Sequence, residues 1–274
     1  MKRGPTASGF RLCGALFLVC GLLLAGCAGR LPSTAPLAGN AKALVLNRFQ
    51  DFLDRECARS VDADVTLSWQ ALWSGATVRG MLQVQKPAML RYTAVDPLGR
   101  PLFIIVSDGA TFTAVDTLKG EGYAGPVTAP FWREYVPEGI SPKELFFWLS
   151  GGLQPGGLRV DDVRLGENSP RPWIILSAPG GLHHQVLFDP AAGRILRHVV
   201  TDRDQAILLD VTYSGTVRPQ DDSGCPWPAE LEIKGAAIPG TIRIRFDRIL
   251  SEAVLPAATF HLTLPVHYPV HKIR

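Results

Sequence analysis

Residues 92–103 read Tyr92-Thr-Ala-Val-Asp-Pro-Leu-Gly-Arg-Pro-Leu-Phe103. Strand-forming residues lead into Asp96-Pro97-Leu98-Gly99 and resume at Leu102. The four central residues make a tight turn: proline presets φ, glycine accepts positive φ, and aspartate bonds its own backbone. Strand, tight turn and strand make an antiparallel hairpin. A turn tip lies on the surface, so the side chain of Leu98 is expected to face water. One exposed leucine carries no meaning by itself.

The unit recurs in both directions along the chain. Upstream, strand-like segments cover Val61 to Trp73, Ala76 to Gln85 and Ala88 to Val95. Downstream come Leu102 to Ser107, Thr111 to Thr117 and Glu121 to Ala124. Turn signals separate them at Ser74-Gly75, Lys86-Pro87 and Asp108-Gly109. Such short spacing predicts antiparallel neighbours in an up-and-down sheet. Further strands are expected at Leu158 to Leu165, Trp173 to Ala178, His183 to Phe188 and Ile195 to Thr201. Three more follow at Ala206 to Tyr213, Ala229 to Ile233 and Thr241 to Ile249. Thr241-Ile-Arg-Ile-Arg-Phe-Asp-Arg248 alternates apolar and polar residues, as a sheet with one wet and one covered face requires. About a dozen strands make a flat sheet unusual. The expected class is therefore mainly β: a strongly curved antiparallel sheet with two or three helices in its concave side.

Two helices are legible. Asn40 is placed to cap a helix from Ala41 to Cys57, whose Leu44, Val45, Phe49, Phe52 and Leu53 recur at helical spacing. Ser141-Pro142-Lys143-Glu144 is a capping box with proline at the first helical position. The helix behind it carries Leu145, Phe146, Phe147, Trp148 and Leu149 and stops at Gly151-Gly152. Apolar on nearly every side, it is either a core plug against the sheet or a movable lid over an apolar cavity. Ala129 to Val136 adds three aromatic residues just before it.

The N-terminus carries a different message. Lys2, Arg3 and Arg11 flank an apolar run from Leu12 to Leu24, too short for a comfortable membrane span. Leu24-Ala25-Gly26-Cys27 then resembles the bacterial lipobox, which implies a signal peptide over residues 1–26 and covalent lipid on Cys27. Ala28 in place of aspartate implies sorting to the outer membrane, facing the periplasm. Arg30 to Asn40 reads as a flexible tether (residues 27–40 in all), ahead of a single domain over residues 41–274.

Processing also alters the charge balance. The chain has 28 basic and 25 acidic residues, and the signal removes three basic ones. A neutral mature chain offers no case, on net charge, for nucleic acid or for an anionic surface. Of five cysteines, Cys57 and Cys225 remain for the domain. They either pair as a disulfide, as an oxidising compartment permits, or pack as separate small apolar residues.

Reactive chemistry finds no footing. The chain has no Gly-Lys dipeptide, no Gly-x-Ser-x-Gly elbow, no His-Glu-x-x-His and no Cys-x-x-Cys. His267 and His271 are four apart, but Pro269 between them opposes the helix that would align them on a metal. The histidines read as ordinary surface or tail residues. No catalytic residue, metal site or cofactor is expected.

Several segments, in order, resemble the LolB family of outer-membrane lipoprotein receptors. They are the Tyr92 to Phe103 hairpin, Leu145-Phe-Phe-Trp-Leu-Ser-Gly-Gly152, Asp210-Val-Thr-Tyr-Ser214, and Pro228 to Ile233 with Thr241 to Arg248. The resemblance covers most of residues 41–250 and implies an unclosed half-barrel whose helices cover an apolar cavity. It further implies that acylated proteins arrive from a LolA-like periplasmic carrier and leave for the outer membrane, with Leu98 acting in membrane insertion. A monomer is expected. Transfer needs no bond chemistry: an acyl chain of about sixteen carbons loses roughly 12 kcal/mol in water, at about 0.8 kcal/mol per methylene. The sequence departs from the family in Asp96, in the length of Gly180 to Thr201, in the cysteine pair and in the tail 251–274. Thr259 to Pro265 within that tail reads as one more strand. The alternatives are a relative of the same fold that binds another lipid or apolar ligand, and an envelope lipoprotein that scaffolds a partner complex without transport.

Overall fold

The computed structural model describes residues 31–71, 73–133, 140–167, 169–220, 224–236, 238 and 240–274. The signal segment, Cys27 and the start of the tether lie outside them, as do Glu134, Tyr135 and Val136. The fold is that of Thr34–Arg274.

The chain opens with β1 (Thr34–Pro36) and α1 (Gly39–Leu53). A first meander follows: β2 (Ser60–Gln70), β3 (Gly75–Gln85), β4 (Met89–Val95), β5 (Pro101–Ser107), β6 (Thr111–Asp116) and β7 (Glu121–Pro126). Two helices, α2 (Pro130–Arg133) and α3 (Pro142–Ser150), interrupt the strands. The second meander is β8 (Arg159–Gly166), β9 (Pro172–Ser177), β10 (His183–Asp189), β11 (Arg194–Thr201), β12 (Ile207–Ser214), β13 (Glu230–Gly235) and β14 (Thr241–Ser251). A 3-10 turn at Ala257–Phe260 and β15 (Val270–Lys272) end the chain.

The fifteen strands among the described residues form one sheet, in the order β1-β8-β9-β10-β11-β12-β13-β14-β2-β3-β4-β5-β6-β7-β15. Its ends, β1 and β15, stand at opposite extremes of the order, so the sheet is unclosed. The two meanders join where β14 pairs antiparallel with β2, from Thr241 opposite Gln70 to Ser251 opposite Asp62. Since β7 and β8 lie at opposite flanks, the segment between them must cross the sheet, and that segment carries α2 and α3.

Alternation explains which face the helices cover. On β2 and β3, Val61 faces Val84 and Ala63 faces Leu82, all buried. On the second meander Val211 faces Ile233 and Tyr213 faces Leu231, again buried. The helices press onto this row. Phe49 of α1 meets Phe188 of β10 edge-on at 5.3 Å, and Phe131 of α2 stacks on Phe112 of β6 at 5.2 Å and 5°. Phe146 of α3 meets Trp227 edge-on at 5.6 Å. The outer face is ionic: Arg243 pairs with Glu232 at 2.8 Å and Arg248 with Asp64 at 2.5 Å. The mainly β class expected from the strand pattern, and the unclosed sheet that the family resemblance implies, are what the structure has.

Three boundaries differ from expectation. Thr34–Pro36, read as tether, pairs with Arg164 to Gly166 of β8, and Leu37 N–H extends that pairing to the Val163 carbonyl at 2.8 Å. Anchored there, the chain turns into α1 at Gly39, so Asn40 falls inside the first turn and Ala38 occupies the capping position. The helix stops at Leu53, short of Cys57, because Cys57 is drawn away to a partner across the cavity.

The third difference is the tail. Thr259 to Pro265 forms no strand; its first residues close a 3-10 turn, with Thr259 N–H on the Pro256 carbonyl at 2.9 Å. The Thr259 carbonyl is taken by the Arg91 guanidinium at 3.0 Å rather than by a ladder. The added strand comes later, at Val270–Lys272, parallel to β7. Glycines make this docking possible: a Cβ on Gly122 would stand 3.1 Å from Leu264, and one on Gly125 2.7 Å from the Ile273 carbonyl.

Candidate functional site

A cavity of about 430 Å³ opens where the end of α1, the start of β4's turn, α3 and the loops around β11 to β13 converge. That volume is within the range of about 300–1,000 Å³ usual for small-molecule sites. Its apolar wall is Phe52, Phe146, Phe147, Leu153, Ile195 and Trp227. Its polar lining includes Arg55, Lys86, Arg194 and Arg218, and no acidic side chain among the described lining residues.

These cations are placed by turns. Lys86 sits in the β3–β4 turn, and its ammonium lies 4.9 Å from the ring centroids of both Phe146 and Phe147. Such placement over an aromatic face is favourable for a cation. Burial, with Arg59 nearby, lowers the Lys86 pKa, and Glu56 opposes the shift. Arg194 at the start of β11 donates through Nη1 to the Gly215 carbonyl at 3.3 Å, while its buried Nε has no partner among the described residues. The Tyr213 hydroxyl, also buried and without a partner among the described residues, has its pKa raised by burial. A cavity of this kind can hold an apolar chain and offers donors, not nucleophiles, to a polar end.

Cys57 and Cys225 form a disulfide, with Cα atoms 5.5 Å apart, and both line the cavity. The bridge ties the link after α1 to the loop between β12 and β13.

Helix α3 is fixed at both ends. The Glu144 carboxylate accepts the Ser141 backbone N–H at 3.0 Å, closing the capping box, and Gly151 ends the helix with φ of 68°. Phe146, Trp148 and Leu149 are buried, and Leu145 is half-buried against the same core. The helix is thus a core element, and through Phe146 and Phe147 it is also a cavity wall.

Two histidines gain an unexpected place. His184 of β10 and His198 of β11 are buried, with His184 Nδ1 and His198 Nε2 2.9 Å apart. The reading as surface histidines does not hold for this pair. Strand parity was a usable signal, since His184 shares its face with Val186. No comparable signal marks Lys86 or Arg194, which sequence inspection shows only as turn and strand-edge cations. His267 and His271 lie in the tail, where His271 stacks on Tyr123 at 5.2 Å. Among the described residues no cluster of three potential metal ligands occurs.

Leu98 stands at the tip of the β4–β5 turn, 79% exposed. Gly99 has φ of 81°, and the Asp96 carboxylate accepts the backbone N–H of Leu98 at 2.8 Å and of Arg100 at 2.9 Å. Those bonds hold the Asp96 pKa below the usual carboxylate range. No helix among the described residues is long and apolar enough to cross a membrane.

The chain matches no protein-family model and no curated protein. Solved structures do resemble it. A DUF1329 family protein from Desulfovibrio piger superposes with a TM-score of 0.51 at 10% identity, covering 80% of this chain and 95% of its own. A LolA superfamily protein from Nitrosomonas europaea gives 0.49 at 10% identity, covering 81% and 97%. An outer membrane lipoprotein-sorting protein domain, described as putative, from Vibrio parahaemolyticus gives 0.48 at 10%, covering 80% and 96%. At this identity the likeness is one of fold.

Proposed function

We propose that this protein is a lipid-binding envelope lipoprotein whose cavity receives the acyl chain of a lipidated protein. In this reading it takes acylated proteins from a LolA-like periplasmic carrier and delivers them to the outer membrane, held there by lipid on Cys27. The cavity between α1, α3 and the second meander carries the reading: it is walled by large apolar side chains, Phe52, Phe146 and Trp227 among them. The sequence resemblance to the LolB family supports the same view. The chemistry asked of the site is burial alone, with affinity set by apolar area.

The test has two stages. Uptake of a fluorescent fatty acid, displaced by palmitate, is expected of the purified protein. A labelled lipoprotein held on a LolA-like carrier is then expected to pass to this protein. Uptake without transfer would leave a lipid-binding protein of another purpose; no uptake would remove the reading.

A further inference from the structure

The Leu98 turn is not unique in this sheet. In an up-and-down meander the turns alternate between two ends, so the β2–β3, β4–β5 and β6–β7 turns share one end. Each presents an apolar residue to solvent: Trp73 (95% exposed), Leu98 (79%) and Leu118 (78%). At the opposite end, the turns around Lys86 and Asp108 expose no large apolar side chain. Val266, fully exposed, lies in the tail beside the same end, two residues before Tyr268, which rests on Gly120.

Leu98 and Leu118 are presented by the same device. The Asp96 carboxylate accepts the Leu98 backbone N–H at 2.8 Å; the Asp116 carboxylate accepts that of Leu118 at 3.0 Å. Each aspartate also pairs with a basic residue just after its leucine, Asp96 with Arg100 at 2.7 Å and Asp116 with Lys119 at 3.6 Å. In both turns the carboxylate is drawn inward and the cation stands out in solvent. A leucine beside an outward cation is therefore built twice, on turns two strands apart. Register sets them level: Val95 pairs with Pro101 near one tip, and Phe103, two residues on, pairs with Asp116 at the base of the other. The β2–β3 hairpin reaches further, since Arg79 rather than Gly75 lies opposite Val95.

We infer that this end of the sheet is a bilayer-contact edge, in which Leu98 and Leu118 enter the lipid together while Arg100 and Lys119 meet anionic headgroups. The inference extends the membrane-contact part of the function proposed above, although it needs no cargo to be tested. A protein partner would be served by a continuous apolar patch. Separate apolar prongs, each flanked by a cation, suit a fluid interface with negative charge. Two leucines on one rigid sheet also compound: burial of each favours contact by roughly tenfold or more.

Leu118→Trp in the full chain, reconstituted in vesicles containing phosphatidylglycerol, places a reporter at the second tip. Quenching of the added emission by brominated acyl chains is expected, with loss of that quenching when Leu98→Gln is combined with it or when the vesicles are purely zwitterionic. Added emission that stays open to aqueous iodide and untouched by bromolipid would overturn the inference. So would emission shielded from both quenchers, which would indicate a protein contact. Failure of lipoprotein transfer with bromolipid quenching intact would count against the proposed function alone.

Discussion

Trp148 of α3 lies flat on His198 of β11, ring centroids 4.1 Å apart and planes 14° from parallel. The imidazole it covers is bonded to His184, so a helix that walls the cavity rests on a histidine pair. Burial lowers the pKa of both; at His184 Glu144 partly opposes the shift and His183 adds to it, and at His198 the neighbouring His184 adds to it.

That arrangement predicts an acid-side loss of stability. With folded pKa values below the unfolded value of about 6.5, the unfolded chain binds more protons once the pH drops under that value. Stability is then complete above about pH 6.5 and falls as pH decreases, by roughly 1.4 kcal/mol per pH unit for each histidine still neutral in the fold. Urea midpoints at about pH 7.5 and about pH 5.5 measure it. His198→Phe, which keeps a ring under Trp148, is expected to flatten the dependence; an unchanged slope would assign it to other groups.

The Cys57–Cys225 bridge closes a loop of 168 residues. Loop-closure entropy for that length stabilises the fold on the order of 5 kcal/mol. Replacing both cysteines by serine is expected to lower unfolding stability by about that much. The same change should loosen the cavity wall they form, weakening fatty-acid uptake more than it alters the far-UV spectrum. Reduction should shift the intact mass; no shift would mean no bridge.

Phe49 is the pivot between α1 and the second meander, buried against Phe52 and Phe188. Phe49→Ala should cost about 3–5 kcal/mol through lost burial and the void left behind. Thermal melts that move by only a degree or two would show that α1 is not docked as described.

Leu98 makes the opposite demand. Its side chain is solvated, so Leu98→Glu should change stability by no more than about 0.5 kcal/mol. Cargo uptake should persist while delivery to membranes falls. Delivery at the normal rate would remove Leu98 from the transfer step.

The hairpins were legible because their information is local: Asp96-Pro97-Leu98-Gly99 determines its own turn, and period-two alternation determines which face of β14 is wet. The capping box of α3 was legible for the same reason. The end of α1 was not, because it is set by a bond from Cys57 to a residue far along the chain. Nor was the cavity, whose cations come from the β3–β4 turn, from β11 and from two loops that only the tertiary fold brings together. The tail was misplaced because Pro256 and the Arg91 side chain, not strand propensity, decide the course of Thr259. Its landing site depends on glycines of β7 more than a hundred positions earlier.

That landing has a consequence for the chain's company. Strand β7 would otherwise be the last of its meander, with a row of unsatisfied N–H and C=O groups facing solvent. Its glycines would let another backbone approach closely, the condition under which copies of a protein stitch themselves together. The chain uses its own residues 269–273 against that risk: Gly122 N–H bonds the Pro269 carbonyl and Ile273 N–H the Ala124 carbonyl, each at 2.9 Å. A protein truncated before the tail should fold its sheet and then self-associate with rising concentration, a behaviour that light scattering would register.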